Sequence, residues 1–302
     1  MSTTAVPSRS LAALPDAALA EKRRPWYSQA PIHVVIILIS VIWLMPTIAL
    51  LFTSLRNIQN INTSMWWTLL WKPHELTLEN YNAVVHSTGT VGMGQAFLNS
   101  LLITIPATLF PILFGAGAAY AFAWMRFPLR NSIFLLLVGL QVVPLQMLLI
   151  PLLQMYTTLG INGTYPALWI AHTAFGLPLA IYILRNFMSG IPYELLESAR
   201  IDGNGHLGIF FRIILPLTTP AIAAVAIFQF MWVWNDLLIA LVFSGPSTAP
   251  MTVVVRSLVG QFGNGWHLMT AAAFISMALP LVIFFSLQRY FVTGLTAGSV
   301  KG

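Results

Sequence analysis

Ile191-Pro192-Tyr193-Glu194-Leu195-Leu196-Glu197-Ser198-Ala199-Arg200-Ile201-Asp202-Gly203-Asn204-Gly205-His206, continued by Phe210-Phe211-Arg212-Ile213 and Leu215-Pro216, lies between two long apolar runs. It carries Glu194, Glu197, Arg200, Asp202 and Arg212, five charges in a chain that is only 7% charged. These alternate with apolar residues at helical spacing. Pro192 suits the first turn of a helix, and Glu194 and Glu197 sit near the same positive helix end. Leu195, Leu196 and Ala199 form a compact apolar stripe at the helical period. Gly203 and Gly205 end that helix, because glycine takes the left-handed geometry of a C-cap. A second amphipathic piece, from about His206 to Arg212, precedes Pro216. The stretch reads as helix, sharp turn, helix, set between two membrane spans.

The rest of the chain agrees with a membrane setting. Of its 302 residues 58% are hydrophobic, whereas a soluble domain has about 25% charged residues. Apolar runs long enough for the roughly 30 Å hydrocarbon core occur near Ile32–Phe52, Ala96–Met125, Ile133–Tyr156, Tyr165–Leu184, Leu217–Phe243 and Leu268–Arg289. From Asn131 to Leu184 there is no Asp, Glu, Lys or Arg at all. Pro144, Pro151 and Pro178 fall inside expected spans, where neighbouring helices re-satisfy the backbone groups that proline frees. In the second span the small residues Gly115-Ala116-Gly117-Ala118-Ala119 allow close helix contact. The expected fold is all-α and polytopic, with six transmembrane helices.

Charge sets the orientation. With both termini inside, eleven Lys and Arg are cytoplasmic and only Arg56, Lys72 and Arg256 are external, the expected positive-inside bias. The net charge of +6 does not point to nucleic acid, since the arginines are scattered at span ends rather than clustered on a face. The chain has no cysteine, so disulfide, iron–sulfur and thiolate chemistry are excluded. The phosphate-cradling Gly-x-x-x-x-Gly-Lys-Ser/Thr pattern is absent, so the chain is no ATP engine by itself. The histidines lack zinc-ligand spacing. No metal site and no catalytic constellation is expected.

Glu197-Ser198-Ala199, Gly203 four residues later, then Ile213-x-Leu215-Pro216 resemble the EAA loop of ABC importer permeases. Ile191-Pro192, Ile201-Asp202-Gly203 and Pro220 extend the likeness to carbohydrate-import permeases of the maltose-system type, in the subunit with the short N-terminus. Ser198 and Asn204 depart from the family pattern. The resemblance runs from Ile32 onward and includes Leu78-Glu79-Asn80-Tyr81. It implies a type I ABC importer permease fold: a cytoplasmic segment at 1–30, a permease domain at 31–293 with its coupling loop at 189–216, and a cytoplasmic tail at 294–302. It implies a multi-pass protein of a bacterial or archaeal cytoplasmic membrane. It also implies a homologous second permease subunit as heterodimer partner, two ATPase subunits that bind ATP and Mg, and an extracytoplasmic sugar-binding protein. This chain itself needs no cofactor. Pro144-Leu145-Gln146-Met147 and His172–Pro178 look most like the α-glucoside branch, so the implied cargo is an oligosaccharide or α-glucoside.

Residue roles follow from the same resemblance. Glu194, Leu195, Glu197, Ser198, Ala199, Asp202, Gly203, Phe210, Arg212 and Pro216 would couple to the ATPase, by a helix seated in a partner's groove. The competing reading is an amphipathic loop on the lipid surface, but such helices carry Lys and Arg rather than three acidic residues. Gln261, Asn264 and Trp266 fall in a loop that would reach toward the binding protein. Asp236 is the one acidic residue inside an expected span, and such a residue should face the bundle or a watery cavity. Trp232, Asn235, Asp236 and His172 are candidates for the translocation path. The first reading of both Asp236 and His172, however, is as hydrogen-bonded packing residues, Asp236 fixing its helix against the partner subunit. The alternative of another class is an ion-coupled secondary transporter of a small polar solute, which would need coupling carboxylates at the midplane where only Asp236 is available.

Overall fold

The computed structural model describes residues 30–86, 91–260 and 265–296, with side chains to residue 286. Helix α1 is Ala30–Ser54, and its apolar side chains are exposed along most of its length. The segment to Ala49 forms one unit and Leu50 onward another.

In the second unit the aromatic loop after α1 is a folded piece built around one cation. It holds α2 (Ile58–Thr63), two short 3₁₀ turns and α3 (Glu79–Val85). Arg56 is 1% exposed. Its guanidinium donates to the Asn60 carbonyl at 2.8 Å, to the Ser64 carbonyl and hydroxyl, and pairs with Glu75 at 3.2 Å. Asn80 donates its amide to the carbonyls of Ser54 and Arg56, which fastens α3 to the end of α1. Arg56 is therefore the core of this loop rather than a free surface charge.

Helix α4 (Met93–Trp124) is the spine of the unit. Pro128 disfavours helix in the residue before it, and Leu129 turns in left-handed geometry (φ 58°) into α5 (Arg130–Leu140). Helix α6 (Leu145–Thr158) follows, bent by 97° from α5. The third expected span is thus not one helix. Pro144 lies outside α6 as its N-cap, since its ring and missing N–H cannot continue α5. Then come α7 (Tyr165–Met188), α8 (Tyr193–Ile201), α9 (His206–Ile209), a π-helical segment Phe210–Ile214, α10 (Leu215–Leu217) and α11 (Thr219–Asn235). The His206–Leu217 piece meets α11 at 72°. The fifth expected span also breaks early: α11 stops at Asn235 and α12 resumes at Leu238–Phe243. Helices α13 (Met251–Ser257) and α14 (Trp266–Thr296) follow. Among the described residues four helices are long and apolar enough to cross a membrane, or up to six if each bent pair is one span.

Three buried clusters stack along α4. At its start Met93 and Ala96 meet Val84, Trp234, Met251, Ala271 and Ala272. In its middle Ile103 and Ala107 meet Leu168, Ala171, Val233 and Phe243. Toward its end Ile112, Ala116, Ala119 and Tyr120 meet α7, α8, α9 and α11. Packing with α7 is close because Gly115 has no side chain; a Cβ there would lie 3.1 Å from that of Ala180. Of the small-residue run, Gly115, Ala116 and Ala119 are buried and Gly117 faces outward. At the start of α4, buried Asn99 donates to the carbonyls of Ser247 and Ala249 and accepts from Tyr165 and Gln95. With no hydrogen-bonding capacity left over, it binds the 244–250 loop to that end.

The span prolines show how a membrane helix tolerates them. Proline removes the N–H that would serve the carbonyl four residues earlier, and hydrocarbon offers no water instead. Before Pro106, the Leu102 carbonyl accepts the indole N–H of Trp169 at 2.8 Å. Before Pro280, the Ser276 carbonyl accepts that of Trp234 at 3.1 Å. The donors here come from neighbouring helices, at prolines other than the three singled out from the sequence.

Candidate functional site

The loop between α7 and α11 is built as expected in outline. Helix α8 begins at Tyr193, with Pro192 just before it, one residue short of the expected first-turn place. It ends in a Schellman motif: the Asn204 N–H donates to the Ala199 carbonyl and the Gly203 N–H to that of Arg200, both at 3.0 Å. This motif needs a left-handed residue just beyond the cap, and Gly203 has φ +81°. Gly205, expected to share that role, instead has φ −75° and caps the start of α9.

The apolar stripe does not point where the sequence suggested. Leu196 and Ala199 are buried against α4, α7 and α9, so they anchor the loop to its own chain. Ile209 and Ile214 do the same from the following segment. Tyr120 of α4 adds a hydrogen bond to His206 and packs on Phe210 at 5.3 Å between ring centroids. Of the coupling candidates, Ala199 is thus buried and Phe210 half-buried against the chain's own core. Outward lie Glu194, Leu195, Glu197, Ser198, Asp202, Gly203, Arg212 and Pro216. Four apolar residues that periodicity alone did not single out join Leu195 there: Tyr193, Ile201, Leu207 and Phe211, with Ile201 82% and Leu207 75% exposed. A signal was available for two of them, since Tyr193 and Ile201 stand beside Glu194 and Asp202.

At the break between α11 and α12 the path candidates gather. Asp236 is not at a helix centre: it leaves α11 in extended geometry, and its carboxylate accepts the Ala240 N–H at 3.1 Å, capping α12. Its main-chain carbonyl accepts the Thr252 hydroxyl at 2.8 Å. His172 of α7 is 1% exposed and stands edge-on to Trp232, with ring centroids 5.4 Å apart. The expectation that it is hydrogen-bonded does not hold: Nδ1 has no partner among the described residues and Nε2 lies 4.0 Å from the Asp236 carboxylate. Trp232 is 36% exposed and Asn235 is also exposed. Trp234, by contrast, is buried between Phe97 and Phe230. The structure therefore brings Trp232, His172 and Asp236 together, with Asn235 beside them. Trp266 is exposed, while Gln261 and Asn264 lie outside the described residues, as do residues 1–29 and 297–302. Among the described residues no group of three His, Asp or Glu is placed to hold a metal ion.

Long apolar helices broken beside buried polar groups, with an amphipathic loop sealed onto one end, define a polytopic membrane protein. The comparisons say which. Residues 111–296 match the binding-protein-dependent transport system inner membrane component family, and the chain belongs to it as the permease subunit of an ABC importer, as the loop had implied. It is 51% identical over 285 residues to the osmoprotective compounds uptake permease protein GgtD of Synechocystis, covering 93% of this chain and 95% of that one. It is 53% identical over 237 residues to the alpha-glucoside transport system permease protein AglG of Rhizobium meliloti, covering 76% of this chain and 62% of that one. The fold matches a chain of the crystal structure of a bacterial ABC transporter that imports the polysaccharide alginate, with TM-score 0.72 and 20% identity over 89% of this chain and 98% of that chain.

Proposed function

We propose that this chain is one of two membrane subunits of an ATP-driven importer of α-glucosides or related oligosaccharides, coupled to its ATPase through the Tyr193–Arg212 loop. The observation that carries the coupling is the division of that loop into two faces. Leu196, Ala199, Ile209 and Ile214 are sunk in the permease core, while Leu195, Ile201, Leu207 and Phe211 stay exposed on the same loop as the exposed Glu194, Glu197 and Asp202. A rigidly held amphipathic helix with a bare apolar face is what a groove in a partner can grip and push. Movement of the ATPase dimer then passes through the buried face to α4, α7 and α11. The termini and this loop are cytoplasmic, consistent with the positive-inside charge bias. The second permease subunit completes the path, and ATP and Mg bind only on the ATPase partners. An external binding protein delivers the sugar toward the 244–267 side.

The substrate class rests on the two relatives named for α-glucosides and osmoprotective compounds. In the path, Trp232 offers a ring face for stacking on a sugar, and Asn235 and Asp236 offer hydrogen-bonding groups for its hydroxyls. The test is uptake of labelled sucrose and trehalose by proteoliposomes holding the whole importer and its binding protein. Uptake should require ATP and survive collapse of ion gradients. Transport of neither sugar, with an unrelated solute carried instead, would remove the substrate assignment.

A further inference from the structure

Pro111 poses the same problem as Pro106 and Pro280, and the answer lies at a more consequential place. The carbonyl left without its helical N–H is that of Ala107, and it accepts the side-chain amide of Gln229 from α11 at 3.1 Å. The same nitrogen lies 3.4 Å from the His172 carbonyl of α7. Both neighbours are acceptors, so the amide nitrogen must face them. Gln229 is 6% exposed, and it crosses α7 where only a glycine leaves room. A Cβ on Gly176 would sit 2.7 Å from Gln229 Cδ. One side chain thus meets α4, α7 and α11 at one level. It also lines a cavity of about 300 Å³ with Phe175, Gly176, Phe228 and Trp232.

We propose that Gln229 is a positioning residue for the translocation path: its amide replaces the N–H that Pro111 lacks, and so fixes the depth and rotation at which α11 presents Trp232 and Asn235. This rests on the path reading of those residues. A proline-freed carbonyl inside the membrane cannot be satisfied by water, so α11 cannot slide or turn against α4 without losing that bond. Trp232 lies one turn beyond Gln229, and Asn235 almost two. The neighbouring pins, Trp169 on Leu102 and Trp234 on Ser276, bind α7 to α4 and α11 to α14 by the same device. Together they make these four helices move as one body.

The chain has no cysteine, so Asn235→Cys gives a single reporter, read as its labelling rate by a water-soluble maleimide in the assembled importer. Gln229→Leu should change that rate roughly three- to twentyfold, the span of hydrogen-bond strengths in membranes, and lower the melting midpoint of the full chain. Pro111→Ala restores the backbone N–H, and in that background Gln229→Leu should leave both readings nearly unchanged. Equal effects in both backgrounds would overturn the assignment of the amide to the Ala107 carbonyl. A fall in melting midpoint with the labelling rate at position 235 unmoved would reduce Gln229 to a packing residue and overturn the positioning role. If Gln229→Leu does not assemble, Gln229→Met serves in its place, and assembly regained with Pro111→Ala supports the pin. Sucrose uptake, followed in parallel without the reporter, separates the two layers. A rescued labelling change with unchanged uptake would refute the path reading and leave the pin standing.

Discussion

Tyr120 Oη and His206 Nδ1 lie 3.0 Å apart, joining the end of the long α4 spine to the loop 86 positions further along the chain. Beneath that bond Leu196 and Ile209 are fully buried. The loop is therefore part of the permease core and not a tether hung from it. A push on its outer face reaches α4 directly, because packed side chains transmit strain.

Removing the anchor should free the loop. Leu196→Ala deletes a fully buried side chain and should cost about 2–5 kcal/mol locally. Tyr120→Phe keeps the ring on Phe210 and loses only the hydrogen bond, about 0.5–1.5 kcal/mol. Hydrogen exchange of the amides in 193–214 should rise strongly in the first variant and slightly in the second. Parent-like exchange in Leu196→Ala would mean that the core contact does not hold the loop.

Gly203 separates backbone strain from crowding. A Cβ there meets nothing within 4 Å, so a substitution acts only through φ +81°. Valine should be strained by at least about 1–2 kcal/mol, asparagine by less. Gly203→Val should remain in the membrane yet lose ATPase co-purification and sugar uptake, with Gly203→Asn between it and the parent. Normal uptake by the valine variant would remove the turn from the mechanical path.

What the sequence revealed and hid divides by range. The helix–turn–helix, its Gly203 cap and the four long spans depend on local patterns of apolar residues, proline and glycine, and these were legible. The breaks at Pro144 and Asp236 were not, because a proline or an aspartate in an apolar run is compatible with a kink, a cap or an uninterrupted helix. Leu196 and Leu195 are chemically identical, and only packing against distant α4 and α7 and the following α9 decides which is buried. The proline positions announce carbonyls in need of donors, but nothing local says that Trp169, Gln229 and Trp234 supply the N–H groups.

Orientation can be read with single cysteines. Ser198 and Ser247 are both exposed and lie at opposite ends of α4, since Ser247 is held by Asn99 and the loop of Ser198 by Tyr120. Ser198→Cys should react only with reagent that enters the cytoplasm, and Ser247→Cys with impermeant reagent outside. Reversed labelling would overturn the orientation and the ATPase-facing role of the loop with it.

Arg56 should behave as a buried cation rather than a topology signal. Arg56→Met leaves Glu75, 11% exposed, with the exposed Lys72 at 3.7 Å as partner, so it should cost less than the roughly 3–5 kcal/mol of a fully stranded buried charge. Limited proteolysis in intact membranes should then cut within residues 57–78. The double change Arg56→Met with Glu75→Leu removes the half-compensated carboxylate and should regain part of the resistance. No gain in cleavage for the single variant would show that the aromatic loop stands without its central ion pair.

Asp236 tests whether charge or shape matters at the break between α11 and α12. Its carboxylate accepts the Ala240 N–H at 3.1 Å, and its 4.0 Å separation from His172 Nε2 is too long for a hydrogen bond. Shape therefore carries the observed contacts. Asp236→Asn keeps an acceptor oxygen, so the break, the cap and most sugar uptake should survive. Asp236→Leu strands the Ala240 N–H at about 1–3 kcal/mol and invites α11 to run on as helix, so it should lower assembly or transport. Uptake by proteoliposomes and size-exclusion chromatography of the complex read the two properties apart. Loss of uptake in an intact Asp236→Asn complex would show that the negative charge itself serves the sugar path, with His172 as its nearest candidate partner.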